Sequence, residues 1–324
     1  MTQIGYAISS EEHHPNDIVR HARMAEDAGF TFSLISDHYH PWVDAQGHSP
    51  FVWSVIGGIA TATERLGLGT GVTCPTVRIH PAIIAQAAAT SAAMMGSRFF
   101  LGVGSGEALN EHITGERWPE TEVRLEMLEE AIAVMRLLWQ GGNQSHHGTY
   151  YTVENARLYT LPAEPVQVMI AAAGPKAAAL AGRIGDGFIN TSPDREPIAA
   201  YEEAGGKGPR YGQMTVCWGP DADQALRTAH EIWPNSGLPG ELSQELPTPA
   251  HFEQASKLVT PEKIGGSVVV GPDAAKYLAK IEEYVAAGYD HVYLHQIGPD
   301  QEGFIRFCER EILPRYAAAQ SRAA

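Results

Sequence analysis

The chain is poor in cysteine and in cations. The three cysteines among 324 residues, Cys74, Cys217 and Cys308, form neither a CxxC pair nor a metal-ligand spacing. We therefore expect reduced thiols and no metal site. Lys and Arg number 23 against 38 Asp and Glu, which gives a formal net charge of −15. This excess of acids argues against a nucleic-acid partner and against binding to an anionic membrane surface.

Long apolar runs and several well-known motifs are also lacking. No run of ~18 apolar residues suggests a membrane span, and residues 1–6 have no basic region typical of a signal peptide. The HExxH, GxSxG and Walker patterns are absent, which argues against a zincin, a serine hydrolase and a P-loop protein. The pairs His13-His14 and His146-His147 have no acid at ligand spacing, so we expect them to be solvated. Together these absences favour a cytoplasmic protein.

Short apolar runs alternate along the chain with longer segments of helical periodicity. The runs predict eight strands, at residues 4–8, 32–36, 66–70, 99–104, 168–171, 187–190, 213–218 and 291–295. Helices are predicted at residues 16–28, 50–64, 81–95, 120–140, 175–184, 273–287 and 302–316. Eight strands alternating with helices favour a single α/β domain, a (β/α)8 TIM barrel over residues 1–324, and a doubly wound open sheet is the alternative.

Two segments interrupt the alternation. Turn residues and β-formers at about 146–160 predict a hairpin insertion with strands at 148–153 and 156–159. The irregular region at about 222–266 contains Pro and Gly breakers and predicts a helical insertion. The Ala-rich tail after Tyr316 is expected to fray.

Reactive side chains follow the predicted strands. Asp37, His38 and Trp42 come after the second strand, Glu11 after the first and Glu107 after the fourth. Because ligands bind at the carboxyl ends of barrel strands, these groups suggest proton transfer beside a flat ring. The alternative is a surface loop in which the His and Trp pack for structural reasons.

Small residues at several strand ends leave backbone amides uncovered. Gly174 and Lys176 open a predicted helix, whose free N–H groups favour a phosphate. Simple turn geometry is the alternative for each glycine taken singly. The GxGxG string at 102–106 lacks the spacing and the later acid of a dinucleotide fingerprint, so NAD is rejected.

The segments 36–42, 69–76, 100–111 and 181–188 resemble the bacterial luciferase-like superfamily, and within it the F420-dependent glucose-6-phosphate dehydrogenase group. The resemblance implies a (β/α)8 barrel that holds the deazaflavin coenzyme F420 in its mouth, and a homodimer. It also implies a cis peptide bond between Gly71 and Val72, behind the ring. The cofactor contacts that it implies are Asp37, Gly71, Val72, Cys74, Ser105, Gly106, Asn110, Ala173, Gly174, Lys176 and Ala177.

The same resemblance assigns catalytic roles. His38 matches the group that takes the alcohol proton while hydride leaves the carbon for the deazaflavin. Trp42 and Glu11 match neighbours that steady the resulting charge, and Glu107 matches the group that protonates the deazaflavin. The division of labour is coherent, since the cofactor carries hydride and the protein supplies acid, base and orientation.

The chain departs from the group where the sugar phosphate would bind. The group holds the phosphate with basic side chains, and the matching positions here are Asp194, Ser243 and Ser267. An acid and two hydroxyls do not attract a phosphate dianion. We therefore expect Thr191, Asp194 and Ser267 to contact an unphosphorylated alcohol or sugar. Ala173 replaces the usual Gly and is expected to narrow the channel for the cofactor phosphate.

Three alternatives stay open at this point. An FMN-dependent monooxygenase of the same superfamily would use the same barrel. An F420H2-dependent reductase would use the same groups in the opposite direction. A barrel that only binds a flavin would need no catalyst at position 38.

Overall fold

The computed structural model describes residues 2–320, with side chains described to residue 316. Its strands are β1 Gln3–Ile8, β2 Phe32–Ile35, β3 Gly67–Thr70, β4 Phe99–Val103, β5 Gln144–His147, β6 Thr152–Ala156, β7 Val168–Ala171, β8 Gly187–Asn190, β9 Arg210–Cys217, β10 Val269–Val270 and β11 His291–Gln296. The main sheet runs β9-β11-β1-β2-β3-β4-β7-β8 and closes through a β8–β9 pairing, with β10 added beside β9. All of these pairings are parallel. The predicted (β/α)8 barrel is confirmed.

Helices surround the barrel and fill the insertions. They are α1 Pro15–Ala28, α2 Val52–Ala62, α3 Pro81–Met95, α4 Ala108–Glu111, α5 Thr121–Trp139, α6 Pro175–Ile184, α7 Arg195–Glu203, α8 Ala222–Ile232, α9 Leu242–Glu245, α10 Pro249–Ser256, α11 Pro261–Ser267, α12 Ala274–Ala287, α13 Gln301–Phe307 and α14 Leu313–Gln320. Proline opens α1, α3 and α6, where its missing N–H costs no hydrogen bond. The sequence did not predict α7. In the described part of the chain, no helix is long and apolar enough to cross a membrane.

Aromatic side chains fill the amino-terminal half of the barrel. Phe32, Phe100, Tyr211, His291 and Tyr293 sit early on their strands and contact one another, with the rings of Phe100 and Tyr211 stacked at 5.1 Å between centroids. Glycines on β3 make room for these rings. The interior is therefore packed at one end, and a ligand has to enter from the carboxyl ends of the strands.

The hairpin lies slightly earlier in the chain than the sequence pattern indicated. Its strands are β5 and β6, and residues 148–151 form the turn that the pattern had placed in a strand. The carboxylate of Glu130 on α5 accepts hydrogen bonds from the backbone N–H groups of Thr149, Tyr150 and Tyr151. These contacts hold the turn against α5, and local sequence does not reveal them.

The insertion at residues 222–267 contains α8 to α11, and a buried arginine ties it to the barrel. Arg124 on α5 donates to Gln244 at 3.0 Å and pairs with Glu245 at 3.1 Å. Its guanidinium also lies over the ring of Trp118, 4.5 Å from the centroid. At the carboxyl end of the chain, α14 continues to Gln320, and residues 321–324 of the tail expected to fray lie outside the described residues.

The expectation that both histidine pairs are solvated is wrong for His13. That side chain is buried and lies edge-on to His21, with ring centroids 5.0 Å apart. Its neighbour His14 is exposed and caps α1. In the other pair, His146 contacts Glu130 at 3.0 Å. The periodicity of the short segment before α1 gave no sign that His13 turns inward.

Substituting Gly69→Ala should destabilise the barrel. A Cβ at this position would lie close to the ring of Phe100, which the packed interior cannot displace freely. We expect a loss of about 1–3 kcal/mol, measured as a lower midpoint of urea unfolding. The control is Gly57→Ala on α2, where an added Cβ meets no atom within 4 Å and alanine favours the helix. An unchanged midpoint for Gly69→Ala would contradict the packed interior.

Candidate active site

The first two strands bring a glutamate and a histidine together at the carboxyl end of the barrel. Because β1 and β2 are parallel neighbours, the segments that follow them lie side by side. His38 Nδ1 lies 2.5 Å from Glu11 Oε1, and the two side chains are 11% and 1% exposed. Ser9 and Ser36 donate hydrogen bonds to the other oxygen, Glu11 Oε2, at 2.9 and 2.7 Å.

The two groups stabilise each other's charge. Burial alone would raise the pKa of Glu11, but the charge of His38 and the Ser36 hydroxyl outweigh it and lower the pKa to about 2. Burial alone would lower the pKa of His38, but the charge of Glu11 outweighs it and raises the pKa to about 9. At neutral pH the pair is therefore a carboxylate and an imidazolium.

The other face of the imidazole meets a second acid and an indole. His38 Nε2 lies 4.0 Å from Glu107 Oε2, and the Glu107 side chain is 27% exposed. Glu107 is the residue that precedes α4. The ring of Trp42 lies edge-on to His38 at 5.0 Å, and Phe252 from α10 lies edge-on to Trp42 at 5.1 Å. The insertion thus supplies part of the wall around the histidine.

Behind His38, Asp37 belongs to a buried charge cluster. Arg78 Nη2 lies 2.9 Å from Asp37 Oδ1, and the hydroxyl of Thr73 donates to Asp37 Oδ2 at 2.7 Å. Glu111 lies on the other side of Arg78, with 3.5 Å between Oε1 and Nε. The resemblance had assigned Asp37 to the cofactor; in the structure its carboxylate is bound by the protein. Sequence reasoning missed Arg78. The one available signal was a lone cation after β3, the strand that pairs with β2, which ends two residues before Asp37.

Glycines form a close-packed bed beside this cluster. The peptide bond between Gly71 and Val72 is cis, as the resemblance implied. An added Cβ at Gly104 would lie 2.9 Å from Val72 Cγ2, and one at Gly106 would lie 2.5 Å from the sulfur of Cys74. Gly106 also has a φ of +82°, which favours glycine. Glycine at these positions therefore lets the loop after β4 pack directly against Val72 and Cys74 in the segment after β3.

Asn110 fits a ligand that offers an acceptor. Its Oδ1 accepts from the backbone N–H groups of Tyr39 and His40 at 2.8 and 3.0 Å. Its Nδ2 is buried and has no hydrogen-bond partner among the residues described. A buried amide donor without a partner is costly, so an acceptor on a bound ring would satisfy it. The residues present therefore fit a planar cofactor of the kind that the resemblance implied.

The expected phosphate site lies at the start of α6. Gly174 precedes the helix, and an added Cβ there meets no atom within 4 Å. The first N–H groups of a ten-residue helix have no partners inside it and attract an anion. Lys176 is exposed and pairs with Glu122 at 2.6 Å. Ala173 is exposed and Ala177 is half-buried, as is Ser105 after β4.

The expected substrate residues make local hydrogen bonds of their own. Thr191 and Asp194 sit in the connection from β8 to α7, and Asp194 accepts from Ser192 at 2.8 Å. Ser267 ends α11 and donates to Ile264 O at 3.2 Å. Across the described residues, none of the three hydrogen-bonds to His38, Glu11 or Glu107. No cluster of three or more His, Cys, Asp or Glu able to hold a metal occurs within residues 2–320.

Comparisons with known proteins identify the family of the chain. The profile of the family described as luciferase-like monooxygenase matches residues 1–291. The F420-dependent glucose-6-phosphate dehydrogenases of Microbacterium testaceum and Mycobacterium tuberculosis are each 36% identical to the chain, and 97% of each chain is covered in both comparisons. A solved F420-dependent secondary alcohol dehydrogenase, in complex with an F420-acetone adduct, is 32% identical with a TM-score of 0.89, over 96% of this chain and 98% of that one. The chain belongs to the luciferase-like monooxygenase family.

Proposed function

We propose that this protein oxidises an unphosphorylated alcohol or sugar hydroxyl and passes the hydride to coenzyme F420. That it is an F420-dependent dehydrogenase acting on CH–OH groups follows from its likeness, over nearly the whole chain, to the F420-dependent dehydrogenases compared above. The observation that carries the reaction is His38 lying between Glu11 and Glu107.

The chemistry of His38 follows from its two contacts. A carboxylate only accepts hydrogen bonds, so Glu11 keeps a proton on Nδ1 and leaves Nε2 as the atom that exchanges a proton with substrate. Glu107 faces the same open side, where it can hold or deliver a second proton. Trp42 restricts the imidazole to this orientation and shields it from water.

Bound F420 supplies a two-electron carrier for the hydride. The residues that would hold it are the Gly71–Val72 peptide behind the ring, Asn110 through its free amide N–H, and the start of α6 at Gly174 for the phosphate. Close placement of the substrate carbon against the ring is the remaining requirement, and the Trp42–Phe252 wall supports it.

We infer that the substrate carries no phosphate from the charges of the side chains at the expected substrate positions. Asp194 is an acid, and the neighbouring cation Arg195 turns down α7 to pair with Glu202 at 2.6 Å. Ser267 is engaged with the backbone of its own helix. This proposal departs from the substrate named for the curated relatives, and it agrees with the alcohol named for the solved structure.

Purified protein with F420 should turn over simple secondary alcohols or unphosphorylated sugars and should use glucose 6-phosphate poorly. Loss of the visible absorbance of F420 measures the rate. The variant His38→Asn should lose most turnover while keeping cofactor affinity, since it removes the proton acceptor and retains a polar side chain of similar size. Efficient turnover of glucose 6-phosphate would contradict the substrate proposal, and full activity of His38→Asn would contradict the catalytic role.

The raised pKa of His38 also favours the reverse reaction as a second candidate. With a pKa of about 9, His38 is cationic at neutral pH and is ready to donate a proton to a carbonyl oxygen. Reduction of a ketone or aldehyde by reduced F420 needs a donor of this kind. The same residues serve both directions.

The two directions should have opposite pH dependences. Oxidation needs the free base of His38, so kcat/KM should rise with pH up to about 9, and reduction needs the cation, so kcat/KM should fall above about 9. Glu11→Gln removes the charge that raises the pKa, so both transitions should move toward the ordinary value of 6.5. The control is Glu12→Gln, which alters the neighbouring acid, paired with His295. Equal profiles for Glu11→Gln and the wild type would contradict this assignment.

The homodimer expected from the resemblance and the cytoplasmic location expected from the composition stay predictions.

A further inference from the structure

Arg78 is a buried cation held between two acids. Its side chain is 6% exposed, and the two carboxylates are each 1% exposed. Nη2 contacts Asp37 Oδ1 at 2.9 Å, and Nε faces Glu111 Oε1 at 3.5 Å. The backbone N–H of Arg78 also donates to Glu111 Oε2 at 2.7 Å. One residue therefore binds both acids, through its side chain and its main chain.

Each of these acids lies on a segment that carries a reacting side chain. Asp37 directly precedes His38 at the end of β2. Glu111 lies on α4, and its backbone N–H donates to Glu107 O at 3.2 Å. Arg78 thus connects the segment that carries His38 to the segment that carries Glu107.

We propose that Arg78 is a positioning residue that fixes the spacing between His38 and Glu107. The guanidinium donates from Nη2 to Asp37 Oδ1 and to the Asp37 backbone oxygen, while Nε stays within ion-pair distance of Glu111. A lysine ammonium is a point charge on a flexible stem and does not reproduce this planar arrangement. Without it, the acids at positions 37 and 111 lose the cation between them and repel each other in a buried site. Hydrogen bonds from the Tyr39 and His40 N–H groups to Asn110 still join the two segments, but the segments then shift relative to each other. The 4.0 Å spacing of His38 Nε2 and Glu107 Oε2 increases as a result.

The catalytic consequence rests on the proposed function. His38 and Glu107 would each transfer a proton over a short distance. A displacement of either side chain by about 1 Å is therefore enough to lower the rate by roughly 10²-fold. The hydrogen bonds of Arg78 go to Asp37 and Glu111 and not to His38, Glu107 or the backbone of Gly106, so we expect its loss to affect kcat more than cofactor affinity.

A matched control comes from the opposite end of the barrel. Arg98 precedes β4, and its guanidinium donates to Leu66 O at 2.9 Å and to Thr63 O at 3.3 Å. Like Arg78, it joins two chain segments, here the start of β4 and the residues before β3, but at the amino-terminal end of the barrel. A substitution there measures the cost of losing a structural arginine without disturbing the site.

The kinetic test compares Arg78→Lys, Arg78→Ala and Glu111→Gln with Arg98→Lys. We expect the Arg78 variants to lose roughly 10²-fold in kcat, with Arg78→Lys the milder, and Glu111→Gln to lose less, because its amide oxygen can still accept from the Arg78 N–H. The dissociation constant of F420, measured by fluorescence quenching, should change little. Arg98→Lys should lower the unfolding temperature and leave kcat unchanged. Wild-type kcat in Arg78→Lys, or an equal loss in Arg98→Lys, would overturn the proposal.

A structural test needs neither cofactor nor turnover. Crystal structures of the cofactor-free variants should show His38 Nε2 and Glu107 Oε2 farther apart than 4.0 Å in Arg78→Lys and unchanged in Arg98→Lys. An unchanged spacing in Arg78→Lys would overturn the proposal. Absence of F420-linked turnover in the wild type would instead remove the proposed function, while the spacing would still decide the role of Arg78. Arg78→Lys keeps the charge, so the test does not depend on Arg78→Ala folding.

Discussion

The buried ion pair of Glu11 and His38 is the interaction on which the site depends. Two charged groups at 2.5 Å in a nearly dry environment are costly to desolvate, and they are tolerated because each is the other's partner. The Ser9 and Ser36 hydroxyls satisfy the second oxygen of the carboxylate. The pair gives the imidazole its charge, and under the proposed function it also fixes which nitrogen faces the substrate and the pH range of each direction of the reaction.

The residues that stabilise the barrel and the residues that form the site lie at opposite ends of its axis. Its amino-terminal half is filled by stacked aromatic rings such as Phe100 and Tyr211, while its carboxyl end collects acids, glycines and an unpartnered amide at Asn110. The insertion closes one side by placing Phe252 against Trp42. A closed amino-terminal end and polar groups at the open end are typical of a barrel that binds a small-molecule ligand.

The sequence was sufficient to predict the barrel and the reactive groups that follow its strands. Both depend on local patterns, namely short apolar runs and the polar residues directly after them. It was not sufficient where a distant side chain decides the outcome. The hairpin turn is held by Glu130 on α5, and the buried ring of His13 packs against His21. Arg78 joins Asp37 and Glu111 across the fold, and a lone arginine in a loop carries no periodic signal.

The most direct test is a nuclear magnetic resonance titration of the His38 imidazole in the cofactor-free protein. The account predicts that His38 titrates with a pKa of about 9 and that Nδ1 stays protonated above that pH, because Glu11 holds that proton. A pKa at or below the ordinary 6.5 would mean that burial outweighs the carboxylate, and it would contradict the charged pair at the centre of the site.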